Sequence, residues 1–171
     1  MRPKKLVNAW PVWLTLLLPI AAVAVEPPCG TPEFRQFDFW LGQWEVRLVD
    51  DSLAGSNSIE RGQRGCVLVE NWTGTQGGTG TSLNFYSSVA DRWRQVWVSP
   101  GAIIDISGGL QEAEMVLEGS ITYTGVQHAT YPFRGTWSPL PDGRVRQFFE
   151  EAREPEVWKP WFEGFYRKQD P

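Results

Sequence analysis

The chain has 171 residues, of which 16 are basic and 20 acidic, so that its formal net charge is −4. Its length indicates one domain of ordinary size. An acidic chain without a basic cluster argues against nucleic acid or an anionic membrane surface as a partner.

The first 24 residues have the features of a secretory signal peptide. Arg2, Lys4 and Lys5 form a positive start, residues 12–22 are mostly apolar, and Ala22-Val23-Ala24 offers small residues for cleavage. An uncleaved anchor is the alternative, but prolines interrupt the apolar run, which is shorter than the ~20 residues a span needs. We therefore expect export to the periplasm or the extracellular space, without stable membrane insertion after cleavage. The remaining chain keeps 13 basic and 20 acidic residues, a net charge of −7.

Two cysteines, Cys29 and Cys66, lie in the part of the chain that would be exported. Exported compartments are oxidising, so we expect a disulfide that ties an N-terminal arm, residues 25–36, to a later strand. Two unrelated buried thiols are the alternative. A metal site is not expected, because His128 is the only histidine and the cysteines do not have ligand spacing.

An aromatic segment, residues 37–46, begins the predicted domain. Phe37 and Trp40 have helical spacing, whereas Trp44 and Val46 alternate with residues of the opposite face, which is the period of a half-buried strand. The segment therefore predicts one helical turn that leads into a strand. A closed barrel needs a plug at one end, and an aromatic turn before the first strand is suited to that purpose.

Turn signals divide the rest of the chain into short segments rich in β-forming residues. The predicted strands span residues 43–50, 58–63, 66–72, 81–87, 92–99, 102–107, 113–122, 132–138, 144–151 and 157–168. Successive hairpins without a long crossover favour a meander over a sandwich. We predict an all-β fold, an antiparallel up-and-down β-barrel of about ten strands over residues 37–168, with a short N-terminal helical turn plugging one end.

The motif Gly42-Gln43-Trp44 at the first strand, together with Arg167 at the end of the last, resembles the lipocalin-like, or calycin, superfamily. In those barrels an arginine late in the chain packs across the N-terminal tryptophan and seals the base. The resemblance implies that Trp44 and Arg167 close this barrel through a cation–π contact.

A further similarity is to a group of bacterial exported barrel proteins of unknown function. The segments that carry it extend over nearly the whole mature chain, at residues 37–42, 65–66, 70–74, 82–86, 93–98, 137–139, 142–147 and 162–166. Haem barrels of the same superfamily have a proximal histidine near the C-terminus, and this chain has none after His128. The resemblance therefore implies no haem, and we expect no other cofactor.

Alternate residues of each strand of a small barrel point inward. By this parity the candidate ligand contacts are Glu70, Trp72, Asn84, Tyr86, Gln95, Trp97 and Trp158. Apolar walls with a few convergent polar groups are typical of small-molecule sites, and we expect a cavity of roughly several hundred Å³. The alternative is a packed core in which the buried polar groups bond one another.

Three functions are compatible with this interior. The first is an exported barrel protein that binds a small apolar or amphipathic ligand. The second is a non-covalent enzyme of the isomerase or hydrolase type, with Glu70 as its acid/base. The third is a structural or interaction module of the cell envelope with a filled core. No serine, cysteine or histidine constellation for covalent catalysis is visible, so no catalytic residue is assigned, and the oligomeric state is not indicated.

Overall fold

The computed structural model describes residues 28–125 and 128–169, and the predicted signal peptide lies outside the described residues. Ten antiparallel strands form a closed barrel in which each strand pairs with its sequence neighbours and the first with the last. The strands are β1 (Gly42–Arg47), β2 (Leu53–Gly62), β3 (Val67–Gly74), β4 (Thr79–Ser87), β5 (Arg92–Val98), β6 (Ala102–Gln111), β7 (Glu114–Tyr123), β8 (Ala129–Pro139), β9 (Val145–Glu154) and β10 (Val157–Lys168). The predicted up-and-down barrel is confirmed.

The described residues also include three short 3-10 helices, at Pro32–Arg35, Asp38–Trp40 and Gln63–Gly65. The second is the predicted turn before β1, and its C-cap, Leu41, directly precedes the strand. In the part of the chain that the structure describes, no helix has the length and apolar character of a membrane span.

The aromatic plug, which we define as Phe37 and Trp40, fills one end of the barrel. Both side chains are fully buried. The Phe37 ring stacks on Trp40 at a centroid distance of 5.0 Å and meets the edges of Trp93 and Trp137 at 5.6 and 5.2 Å. Rings at these distances gain about 0.5–1.5 kcal/mol per pair beyond the burial of their area. The plug is therefore part of the core.

The N-terminal arm holds the plug in place. Cys29 and Cys66 form the predicted disulfide, with their Cα atoms 5.1 Å apart. Arg35 donates a hydrogen bond to the carbonyl of Gly65 at 3.2 Å, and the Gln36 side chain accepts one from the indole of Trp93 at 3.2 Å. The arm is thus attached on both sides of its first 3-10 helix.

The segment between the first two predicted strands, residues 51–57, was expected to be a turn, and most of it is strand. Gly55-Ser56-Asn57 has turn composition, yet it lies within β2, and the chain reverses earlier, where Leu48 and Ser52 share a backbone hydrogen bond of 2.9 Å. Pairing with β1 on one side and β3 on the other overrides the local preference. As a result Asn57 lies inside the barrel and is buried.

The predicted contact between Arg167 and Trp44 is also wrong. Arg167 is paired across the β1–β10 seam with Glu45 and faces outward, where its guanidinium bonds Asp51 at 2.5 Å. The residue opposite Trp44 is Lys168, and its ammonium lies 5.8 Å from the centroid of that indole. Successive residues of a strand point to opposite faces of the sheet, so Lys168 lies on the same face as Trp44 and the preceding residue, Arg167, lies on the other.

We expect the double substitution Cys29→Ala and Cys66→Ala to lower the free energy of unfolding by about 2–4 kcal/mol in urea titrations. The bond closes a loop between residues 37 positions apart, and its removal restores chain entropy to the unfolded state. Reduction of the unaltered protein should raise its mass by two hydrogens. Two thiols that can be alkylated without reductant would contradict the bond.

We expect Lys168→Ala to destabilise the barrel by about 0.5–1 kcal/mol, because it removes a cation from the Trp44 ring. Arg167→Ala should cost less than about 0.5 kcal/mol, since its ion pair with Asp51 is exposed to water. Urea unfolding of both variants measures the difference. If Arg167→Ala lowered the free energy of unfolding as much as Lys168→Ala or more, Arg167 would be the cation that stabilises the base of the barrel.

Candidate functional site

A cavity of about 170 Å³ lies in the half of the barrel away from the aromatic plug. Its polar lining consists of Glu70, Gln95 and Gln147, and its apolar lining consists of Trp72, Trp97, Ile104, Phe149, Trp161, Phe162 and Tyr166. The volume is smaller than the several hundred Å³ that we predicted, because aromatic rings from four strands, β3, β5, β9 and β10, occupy this half of the interior.

Glu70 lies at the floor of the cavity, on β3. Its Oε1 accepts a hydrogen bond from Asn57 Nδ2 at 2.7 Å, and its Oε2 accepts one from Ser82 Oγ at 2.6 Å. Burial raises the pKa of the Glu70 carboxyl to about 7, against the opposing effect of these two donors. None of the ion pairs found among the described residues includes Glu70. The carboxyl therefore changes its charge near neutral pH.

On one side of Glu70 the hydrogen bonds continue to β10 and β9. Asn57 Nδ2 also donates to the hydroxyl of Tyr166 at 3.1 Å, and that hydroxyl donates to Gln147 Oε1 at 2.5 Å. Burial, together with the nearby Glu70 carboxylate, raises the pKa of Tyr166 well above its ordinary value. Tyr166 consequently remains a neutral donor.

On the other side the hydrogen bonds continue to β5. Asn84 Nδ2 donates to Ser82 Oγ at 2.7 Å and to the backbone carbonyl of Leu68 at 3.3 Å, while Asn84 Oδ1 accepts from Gln95 Nε2 at 2.7 Å. The seven members of this polar network are Asn57, Glu70, Ser82, Asn84, Gln95, Gln147 and Tyr166. All of them are buried, so each hydrogen bond is electrostatically stronger than it would be in water.

Trp97 forms part of the cavity wall by lying across β4 at Gly80. A Cβ placed on Gly80 would come within 2.0 Å of the Trp97 ring, so any other residue there would displace the indole. Gly80 lies between the predicted strands 66–72 and 81–87, outside both of them. The structure places it in the first part of β4, where its missing side chain makes room for the ring.

Four of the seven predicted contacts line the cavity: Glu70, Trp72, Gln95 and Trp97. Asn84 lies beneath them in the polar network. Tyr86 lies at the plug end instead, where its hydroxyl bonds Asp91 and its ring meets Phe34 at 5.2 Å. Whether the four lining residues bind a ligand stays a prediction.

Trp158 is outside the barrel, which corrects its predicted place. The Arg134 guanidinium lies 4.6 Å from the centroid of the Trp158 ring, and Arg134 itself pairs with Glu150 on the outer face. The pairing of β10 with β9 shifts twice, once on each side of Pro160, and each shift breaks the alternation of faces. Trp161 lines the cavity in place of Trp158.

Asn57 and Trp161 are two site residues whose inward position strict alternation within the predicted strands could not give. Asn57 was concealed by the turn composition around it, and Trp161 by the irregular pairing of β10. The dipeptide Lys159-Pro160 was a signal for that irregularity, because a proline cannot donate to the strand ladder and is tolerated at bulges.

The fold and the cavity together define a class: a closed, ten-stranded up-and-down β-barrel with a small aromatic chamber whose lining includes the buried Glu70 carboxyl. Within residues 28–125 and 128–169, no group of three or more histidine, cysteine, aspartate or glutamate side chains could hold a metal ion. No family model matches the chain, and no curated protein sequence matches it.

The elevated pKa of Glu70 gives stability a specific dependence on pH. In the folded protein the Glu70 carboxyl keeps its proton up to about pH 7, whereas in the unfolded chain it has the ordinary pKa of 4.5. The protonated carboxyl therefore makes its full contribution to stability below pH 4.5, and this contribution is lost as the pH rises to 7. We expect the stability difference between the unaltered protein and Glu70→Gln to fall by about 3 kcal/mol across that range.

Urea unfolding at several pH values measures this difference. Glu163→Gln is the matched control, because it removes a carboxyl that pairs with Arg146 on the outer face, and it should keep the pH dependence of the unaltered protein. A stability difference that stays constant from pH 4.5 to 7 would show that Glu70 does not titrate there.

Proposed function

We propose that the protein is an exported, lipocalin-like barrel that binds one small apolar or amphipathic molecule in its cavity. The observation that carries the proposal is the chamber of about 170 Å³ with aromatic walls and a polar floor. Export is supported by the signal-peptide features of residues 1–24 and by the disulfide, which suits an oxidising compartment. Membership of the superfamily is supported by the closed barrel and by the Gly42-Gln43-Trp44 motif.

The volume of the chamber limits the size of the ligand. An apolar cavity of about 150 Å³ is large enough to take up benzene, whereas drug-sized ligands need roughly 300–1,000 Å³. A chamber of about 170 Å³ therefore fits a molecule with one ring or a short branched chain. A long-chain lipid does not fit unless it displaces side chains such as Trp161, whose ring is partly exposed.

An enzyme that uses Glu70 as acid/base is the second candidate. A carboxyl with a pKa of about 7 and no ion-pair partner among the described residues is suited to proton transfer near neutral pH. Binding remains the first candidate because Tyr166, the other titratable group of the polar network, has a pKa too high for it to exchange protons at that pH. An envelope module with a filled core receives no support from an interior with this much free volume.

Native mass spectrometry of protein purified from its own host tests the proposal directly. We expect a non-covalent adduct with the mass of a molecule of about ten heavy atoms, which collisional activation removes. Absence of an adduct, together with absence of saturable binding of benzyl alcohol and of benzylamine at millimolar concentration, would refute ligand binding by this chamber.

Trp97→Ala should change the dissociation constant of a bound one-ring probe severalfold, because it removes one wall of the chamber. Its effect on the free energy of unfolding should be smaller than its effect on binding. The matched control is Trp158→Ala, which removes a tryptophan from the outer face and should leave the dissociation constant unchanged. Tryptophan fluorescence titration measures both variants. Equal effects of the two substitutions would place the bound probe outside the chamber.

A further inference from the structure

The Glu70 carboxyl accepts hydrogen bonds from Asn57 and Ser82, but it has no ion-pair partner within residues 28–125 and 128–169. Buried carboxylates are almost always paired with a cation, because an isolated buried charge is costly. Arg134 and Arg146 do not serve this purpose, since each is bound on the outer face, to Glu150 and Glu163 respectively, at 2.7 Å. When ionised, Glu70 can therefore gain a counter-ion from a molecule that enters the chamber.

The orientation of the amides on the floor leaves a second acceptor facing the chamber. The backbone carbonyl of Leu68 can only accept, so the amide nitrogen of Asn84 must face it, and Asn84 Oδ1 then faces Gln95. Gln95 consequently presents its nitrogen to Asn84, and its Oε1 accepts no hydrogen bond from the described residues. The chamber lining thus includes two acceptors, the Glu70 carboxyl on β3 and Gln95 Oε1 on β5. Ser82 of β4 lies between the two side chains, 2.6 Å from Glu70 Oε2 and 3.5 Å from Gln95 Nε2.

The walls favour the same kind of molecule as the floor. Aromatic faces carry partial negative charge and attract cations within about 6 Å of the ring centroid, most strongly when water is excluded. The chamber is surrounded by three tryptophans, Trp72, Trp97 and Trp161, and by the rings of Phe149, Phe162 and Tyr166. A carboxylate and a carbonyl beneath a set of aromatic rings form an environment for an ammonium group attached to a small apolar body.

We propose that this chamber selects a small organic cation, a protonated amine whose ammonium group bonds Glu70 and Gln95 Oε1 while its apolar part lies among the rings. The inference rests on the proposed ligand-binding function and names the chemical class of the ligand. Gln147 adds one further preference, because its Oε1 accepts from Tyr166 and its Nε2 donates to none of the described residues. A ligand that also carries a hydroxyl or carbonyl oxygen can accept that bond.

The affinity of such a cation depends on the charge of Glu70. Of the groups that face it from the neighbouring strands, Asn57 and Ser82 are neutral and Tyr166 keeps its proton. On β9 the buried Glu151 carboxylate is paired with Arg153 at 2.8 Å and does not line the chamber. Since burial raises the pKa of Glu70 to about 7, affinity for a cation should rise about tenfold from pH 6 to pH 8.

The test compares three one-ring probes of similar size: benzylamine as the cation, benzyl alcohol as the neutral analogue and benzoate as the anion. Isothermal titration calorimetry of the mature protein at pH 8 should give an affinity for benzylamine at least about tenfold above that for benzyl alcohol, and no binding of benzoate. At pH 7, titrations in buffers of different ionisation enthalpy should show that benzylamine binding releases close to half a proton from the protein.

Glu70→Gln should abolish the preference for benzylamine and its pH dependence while it keeps the affinity for benzyl alcohol, which also shows that the variant is folded. Glu163→Gln should behave like the unaltered protein. Equal affinities for benzylamine and benzyl alcohol, or tighter binding of benzoate, would overturn the cation assignment and leave the binding function standing. If none of the three probes binds, the cation assignment is overturned as well. If native mass spectrometry also detects no adduct, the proposed ligand-binding function is refuted too.

Discussion

The pairing of β1 with β10 is the constraint on which the rest of the molecule depends. Once ten strands close into a ring, the width of the interior is fixed, and it exceeds the width of an eight-stranded barrel that side chains alone just fill. The aromatic plug occupies one half of this space through Phe37 and Trp40. The other half has no such insert, and its inward side chains leave the chamber between them.

The polar network then determines the chemical character of the chamber floor. Its members come from six different strands, so an inward Asn, Gln or Glu on one strand finds its partner on another only in the native register. The partners that these bonds give Glu70, Asn57 and Ser82, are neutral, and none of the ion pairs in the described part of the chain includes Glu70. The site therefore combines a rigid frame with a charge that the frame itself does not neutralise.

Local alternation was enough to predict the strands and most inward positions, because each inward face is read within one strand. Local alternation was not enough where pairing with a neighbouring strand changed which residues face inward. Pro160 interrupts the ladder of β10 and moves Trp158 outward, and pairing on both sides draws Asn57 into a strand against its turn composition. The cation at the base was misassigned by a single position, Arg167 for Lys168, because facing residues across the seam depend on a register that the sequence does not encode locally.

The closure of the barrel has a kinetic consequence. Trp44 and Lys168 face each other across the seam although they are about 120 residues apart, so the ring is completed by the last strand to be synthesised. Folds whose decisive contacts join distant residues fold slowly. The link between Cys29 and Cys66 encloses only β1 and β2 and can form before the later strands exist. The arm and the start of β3 can thus be joined early, in a partly folded barrel to which the later strands are added.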